Sequence, residues 1–214
     1  MAREELRTPV SRGRTVENPP ADLTPTPGQT IGPFFGYANA HEEVGLPYRG
    51  GPELVSRAHP EASRLHGQVY DGAGDVIPDA MLEIWQADPQ GRIPEETGSL
   101  NRDGYTFTGW GRQAVDRLGT YSFTTLEPGA PGQGHAPYFL MVIFARGLLN
   151  RLFTRVYLPD DEQALADDPL LASLPAERRR TLIATRLDDG SLHHDIRLQG
   201  DRETVFLAYP GIES

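Results

Sequence analysis

Six histidines, His41, His59, His66, His135, His193 and His194, are the first place to look for chemistry in this 214-residue chain. No His-x-His or His-x-x-x-His pair occurs among them. A two-histidine grip on a metal from one strand face needs i, i+2 spacing, because alternate side chains share a face. His193 and His194 are adjacent, so on a strand they point to opposite sides, and they read as solvated strand ends. His66 reads as a polar residue at a strand start. His135 sits in a Gly-rich bend, where a functional role stays open. The chain has no cysteine, which removes thiolate ligands, disulfides and cysteine nucleophiles together. Ser122 and Ser191 lack the sharp strand-to-helix turn of a nucleophilic serine. No glycine-rich phosphate loop stands at a strand-to-helix junction. Asp160, Asp161, Glu162, Asp167 and Asp168 read as a solvated acidic face, and the carboxylates form no capping or calcium-loop pattern. A complete catalytic or metal-binding set is therefore absent. Two features stay unexplained: the Pro/Gly-rich aromatic segment 24–35, TPTPGQTIGPFF, and Arg146, a charge closing the apolar run 138–145. Arg146 either snorkels to solvent or offers its planar fork to a carboxylate.

These residues must be positioned by strands. The stretch 65–88, LHGQVYDGAGDVIPDAMLEIWQAD, reads as strand, tight turn, strand, and as the nucleus of a sandwich core. Met81, Glu83 and Trp85 share one face; Leu82, Ile84 and Gln86 share the other. Trp85 brings a large apolar body that few surface strands carry. Residues 105–112, 117–126, 138–146, 153–158 and 205–209 read as further strands. Residues 181–187 and 191–198 flank Asp188-Asp189-Gly190, a hairpin signal. Residues 160–177 are the helical region, with a cap expected at Ser173 and Pro175, and 37–46 could form a helical turn. The expected architecture is all-β: a sandwich of eight or nine short strands, little helix and an extended N-terminal arm. The expected organisation is a polar disordered tail over 1–23, arm and loops over 24–64, the sandwich over 65–209 and a tail over 210–214.

Composition agrees. Glycine (23 residues) and proline (19 residues) favour short strands and turns over long helices. A net charge of −10 argues against nucleic acid and anionic membrane surfaces. No apolar run is long enough to span a bilayer, and a cytoplasmic setting is expected.

Several segments together resemble one family, the intradiol ring-cleavage dioxygenases. They are TPGQTIGPF (26–34), GQVYDG (67–72), LEIWQAD (82–88), GTYSF (119–123), FARG (144–147), TRVY (154–157), RTLIA (180–184), DIRLQG (195–200) and ETVF (203–206). Each motif is weak, but their order and spacing over residues 24–209 are specific. The resemblance implies a β-sandwich and a non-haem Fe(III) held by two tyrosines and two histidines. It implies insertion of O₂ into a catechol ring. Catalytic chains of the family carry a tyrosine after the Pro-Gly turn; here 128–131 reads PGAP. They then carry an arginine followed by His-x-His; here His135 stands at the arginine and Tyr138-Phe139-Leu140 replaces the pair. The resemblance is thus to the iron-free chain of heteromeric members. It implies no catalytic residue and no metal ligand on this chain. It implies Fe(III) on a homologous, iron-bearing beta subunit, with 3,4-dihydroxybenzoate, a catechol carboxylate, opened with O₂ to 3-carboxy-cis,cis-muconate. Thr30, Gly32, Pro33, Phe34 and Arg146 would then line the substrate pocket. Gly32 would let backbone approach the ring, Pro33 and Phe34 would form an apolar wall, and Arg146 would attract the ring carboxylate. Two rivals remain: a non-catalytic β-sandwich binding module, and a self-sufficient intradiol dioxygenase with atypical ligands.

Overall fold

The computed structural model describes residues 30, 32, 51–95 and 106–209. Nine strands form two sheets among the described residues. They are β1 (Ser63–Tyr70), β2 (Met81–Gln86), β3 (Trp110–Ala114), β4 (Thr120–Thr125), β5 (Tyr138–Phe144), β6 (Leu152–Tyr157), β7 (Thr185–Arg186), β8 (Leu192–His193) and β9 (Ile196–Arg197). One sheet has the order β4-β1-β8-β7, with β9 also paired to β1; the other has the order β3-β2-β5-β6. Three short helices, α1 (Glu162–Asp167), α2 (Pro169–Ala172) and α3 (Ala176–Arg180), interrupt the strands. The architecture is the expected sandwich. The expected turn at 37–46 lies outside the described residues.

Alternation builds the core. Leu65 and Val69 of β1, and Tyr121 and Phe123 of β4, face the same cluster as Leu82 and Ile84 of β2 and Phe139, Met141 and Ile143 of β5. All are fully buried. Burying each such side chain contributes about 1.5–3 kcal/mol against leaving it exposed. The run 138–146 is buried on one face, while Tyr138, Leu140 and Phe144 on the other are half-buried.

The expected hairpin over 65–88 does not form as drawn. Tyr70 bridges Val76, and the Ile77 N–H donates to the Val69 carbonyl at 2.9 Å, so the turn is real. The chain then crosses to the other layer, where β2 pairs with β3 and β5 instead of β1. The stretch therefore supplies one strand to each sheet. Periodicity fixes which residues share a face, not which strand is the neighbour. Trp85 turns outward, 48% exposed, against Trp110 at 5.9 Å between ring centroids. Glu83, on that same outer face, is held by the Arg112 guanidinium. The third strand is Trp110–Ala114, a little later than expected. Residues 205–209 join no sheet among the described residues; Leu207 makes a single backbone bond to Phe153, at 2.8 Å.

A small breach in the first sheet matters below. β8 and β9 both run parallel to β1, and His194-Asp195 separates them. The Gln68 N–H donates to the Asp195 carboxylate at 3.0 Å, and the Tyr121 hydroxyl donates to the His194 carbonyl at 2.6 Å. That carbonyl enters the space above Gly67, where a Cβ would lie 1.8 Å from it. Gly67→Ala is therefore expected to cost about 3 kcal/mol through overpacking that neither backbone can relieve. The urea midpoint of the purified variant measures this, and a loss under about 1 kcal/mol would contradict the packing argument.

Candidate functional site

Arg146 follows the last core residue of the β5 run. The Leu148 N–H folds back on the Ala145 carbonyl at 3.2 Å, and Gly147 (φ +96°) takes the left-handed conformation that closes this turn. The turn leaves the Arg146 side chain 59% exposed, with its Nε 3.2 Å from the Asp79 carboxylate. An ion pair this exposed contributes at most about 1 kcal/mol. The guanidinium can therefore be redirected to another carboxylate at small cost. The Thr30 hydroxyl donates to the Leu148 carbonyl of the same turn at 3.4 Å. The fold thus brings Thr30 beside the turn that presents Arg146, although 116 residues separate them in sequence. Gly32 is exposed, and a Cβ there would meet nothing within 4 Å, so nothing described in this chain demands a glycine at that position. Pro33 and Phe34 lie outside the described residues.

A second constellation escaped the sequence reading. Asp168, placed there on a solvated acidic face, is fully buried. Its carboxylate accepts from the Leu170 and Leu171 N–H groups at 3.0 and 3.2 Å, and so caps α2. It also accepts from the Tyr157 hydroxyl at 3.0 Å and the Ala136 N–H at 3.2 Å, with His135 Nδ1 at 3.3 Å. Burial would raise this carboxyl, but the donors, Leu171 first, outweigh it and hold it below the usual range. The other acids depart from the expected face as well. Asp161 caps α1 through the Ala164 N–H, and Asp160 is clamped with Glu127 by Arg186. The capping pattern judged absent is therefore present at Asp161 and Asp168. Conversely, Ser173 and Pro175 do not cap α3 with a side chain; the Ser173 hydroxyl bonds back to the Leu170 carbonyl, at 2.7 Å.

Tyr138, the one oxygen ligand left at the displaced histidine pair, belongs to the same network. The Arg155 guanidinium lies 4.1 Å from its ring centroid and donates to the Tyr157 hydroxyl at 3.1 Å. Burial pushes the Tyr157 hydroxyl above its ordinary pKa, against the pull of Arg155. A ferric ion does not fit these residues: a fixed cation already covers Tyr138, and its neighbouring tyrosine resists ionisation. Among the described residues no cluster of three or more His, Asp or Glu could hold a metal.

The adjacent histidines do point apart, yet they are not both solvated. His194 is only 5% exposed, and burial pushes its imidazole down to about 4, although one ring nitrogen donates to the Ile183 carbonyl. A lowered pKa means that the unfolded chain, at 6.5, binds the proton first. The stability His194 contributes is therefore complete above pH 6.5 and is lost as pH falls towards 4, by about 3 kcal/mol in all. Urea midpoints of the parent and of His194→Gln should converge over that window, and parallel pH profiles would refute the assignment.

These features define a dioxygenase-type β-sandwich without the means to hold the metal. A family model described as Dioxygenase matches residues 58–140. The dioxygenase domain of a carbohydrate-binding fusion protein from Streptomyces sp. SirexAA-E superimposes with a TM-score of 0.55 at 24% identity, covering 83% of this chain and 99% of that one. An intradiol ring-cleavage dioxygenase from Tetranychus urticae gives a TM-score of 0.51 at 15% identity, covering 84% of this chain and 96% of that one. Both support the fold alone. The chain belongs to the intradiol dioxygenase family, on the branch of the protocatechuate 3,4-dioxygenase alpha chains. The alpha chain of Burkholderia cepacia is 38% identical over 86% of this chain and 97% of its own length. That of Pseudomonas putida is 39% identical over 89% of this chain and 100% of its own. The Burkholderia cepacia beta chain is more distant, at 28% over 84% of this chain and 78% of its own.

Proposed function

We propose that this chain is the non-iron-binding alpha subunit of a protocatechuate 3,4-dioxygenase and completes the substrate pocket of a homologous beta subunit. The observation that carries this reading is the near-full-length likeness to alpha chains, closer than to a beta chain. The Arg155–Tyr138 contact supports it, because it leaves no room for a metal of this chain's own. Fe(III) on the beta subunit would supply the O₂ chemistry that opens 3,4-dihydroxybenzoate to 3-carboxy-cis,cis-muconate, a step of aromatic catabolism in a cytoplasmic setting. This chain's residues bind and orient. Arg146 attracts the ring carboxylate, and the segment around Thr30, Gly32, Pro33 and Phe34 walls the ring from water. Excluding water strengthens the ion pair that Arg146 makes with the substrate.

Co-expression tests the assignment. The chain purified alone is expected to be colourless and free of iron, and to form a burgundy, active complex when produced with the beta subunit. Stoichiometric iron and catechol cleavage by the single chain would establish the self-sufficient enzyme instead. Failure to associate with any iron-bearing homologue would leave the binding module.

A further inference from the structure

One groove of the molecule plays no part in that reading. It has a volume of about 580 Å³ and lies between α3, its following turn and the breach between β8 and β9. Four arginines line it, Arg178, Arg180, Arg197 and Arg202, against the carboxylates of Glu177, Asp195 and Asp201. Asp195 is already engaged by the Gln68 N–H and by His193 at 3.3 Å. Arg178 is engaged by the Glu203 carbonyl at 2.6 Å, and Arg197 lies 4.5 Å from the Tyr70 ring centroid. Arg180 and Arg202 are exposed and make no side-chain hydrogen bond or ion pair among the described residues. Two guanidinium groups are thus left over on one rim of a concave surface.

The floor carries a different demand. His194 lines the groove and is 95% buried, since 5% of it is exposed. Its Nε2 is buried and has no partner among the described residues, while the other ring nitrogen gives its proton to the Ile183 carbonyl. A neutral imidazole with that proton committed presents a bare lone pair at Nε2 and needs a donor. The arginines need an oxyanion and the histidine needs an O–H. A carboxylate or sulfate alone would meet only the first need.

We propose that this groove binds a small oxyanion that also carries a hydroxyl hydrogen, with its charged oxygens on Arg180 and Arg202 and its O–H donating to His194 Nε2. Phosphate in its protonated forms and a short hydroxycarboxylate share this chemistry, and the volume is ample for either. The site is distinct from the turn bearing Arg146.

Calorimetric titration of the full chain at pH 7 with inorganic phosphate, malate and sulfate tests the proposal. Saturable binding of phosphate or malate is expected, with the tighter of the two identifying the source. Sulfate matches phosphate in shape but has no proton to offer at this pH, and should bind at least about tenfold more weakly, the effect of one charge-assisted hydrogen bond. Arg180→Gln/Arg202→Gln changes exposed residues and should fold normally while losing about tenfold or more in affinity. Sulfate bound as well as phosphate would overturn the role of His194. Unchanged affinity in the double variant would overturn the role of the rim. No saturable binding of any of the three, as for a groove that holds water only, would overturn the site altogether.

Discussion

Asp168→Ala should destabilise the chain by about 3–5 kcal/mol, the largest single-residue effect expected on its fold. The carboxylate accepts from two N–H groups of α2, from the Ala136 N–H and from the Tyr157 hydroxyl, all of which lose their partner together. Leu171, Ala136 and Tyr157 are themselves fully buried, so water reaches the vacated donors poorly. Loss of the α2 cap alone costs about 1 kcal/mol; the stranded donors account for the rest. Asp168→Asn keeps one acceptor oxygen but turns an NH₂ towards the remaining donors, and should fall between the parent and Asp168→Ala. At this chain length the alanine variant should melt about 10 °C lower. A shift below about 2 °C would show that the buried carboxylate is replaceable by solvent.

The second large effect is on catalysis. Arg146→Ala, in the complex with the iron-bearing subunit, should lower kcat/KM for 3,4-dihydroxybenzoate by about 10- to 100-fold. The loss should lie mainly in KM and should be small for catechol, which has no ring carboxylate. Arg146→Lys should recover only part of it, because a point charge lacks the planar fork. Asp79 supplies a separate reading of the same contact. Its carboxylate, 3.2 Å from Arg146 Nε, competes with the substrate for the guanidinium but also holds it in place. In Asp79→Asn, a lower KM for the carboxylated substrate would mean that competition dominates, and a higher one that orientation does. Equal losses on both substrates in Arg146→Ala would refute the carboxylate role.

The strands were legible because burial on one face writes a period of two. Leu65-x-Gly67-x-Val69 and Tyr121-x-Phe123-x-Thr125 both point inward as their spacing requires. The Asp188-Asp189-Gly190 reversal was legible because a tight turn there needs positive φ, and Gly190 has +81°. Pairing was not legible, since the same alternation suits a neighbour in either layer, and the chain used the 71–80 segment to change layers. Asp168 was misjudged because three acids in its acidic run, Asp161, Glu162 and Asp167, are exposed, and composition treats all five alike. A local signal did exist: Asp168-Pro169 is an N-cap residue followed by proline at the first helical position. His194 was misjudged because adjacency says only that two side chains diverge, not that one enters the interior. Of the expected pocket residues, the FARG motif located the turn of Arg146. Nothing in the sequence, though, announces that Asp79 would meet it.

The chain's two tryptophans, Trp85 and Trp110, are cross-strand neighbours on the outer face of the second sheet. Its intrinsic ultraviolet emission therefore reports on that single patch and not on the core. Half-exposed Trp85 makes the signal open to collisional quenchers such as acrylamide, and any chain that settles over this face should shield it and shift the emission to the blue. Assembly on that side of the sandwich can thus be followed without attaching a dye.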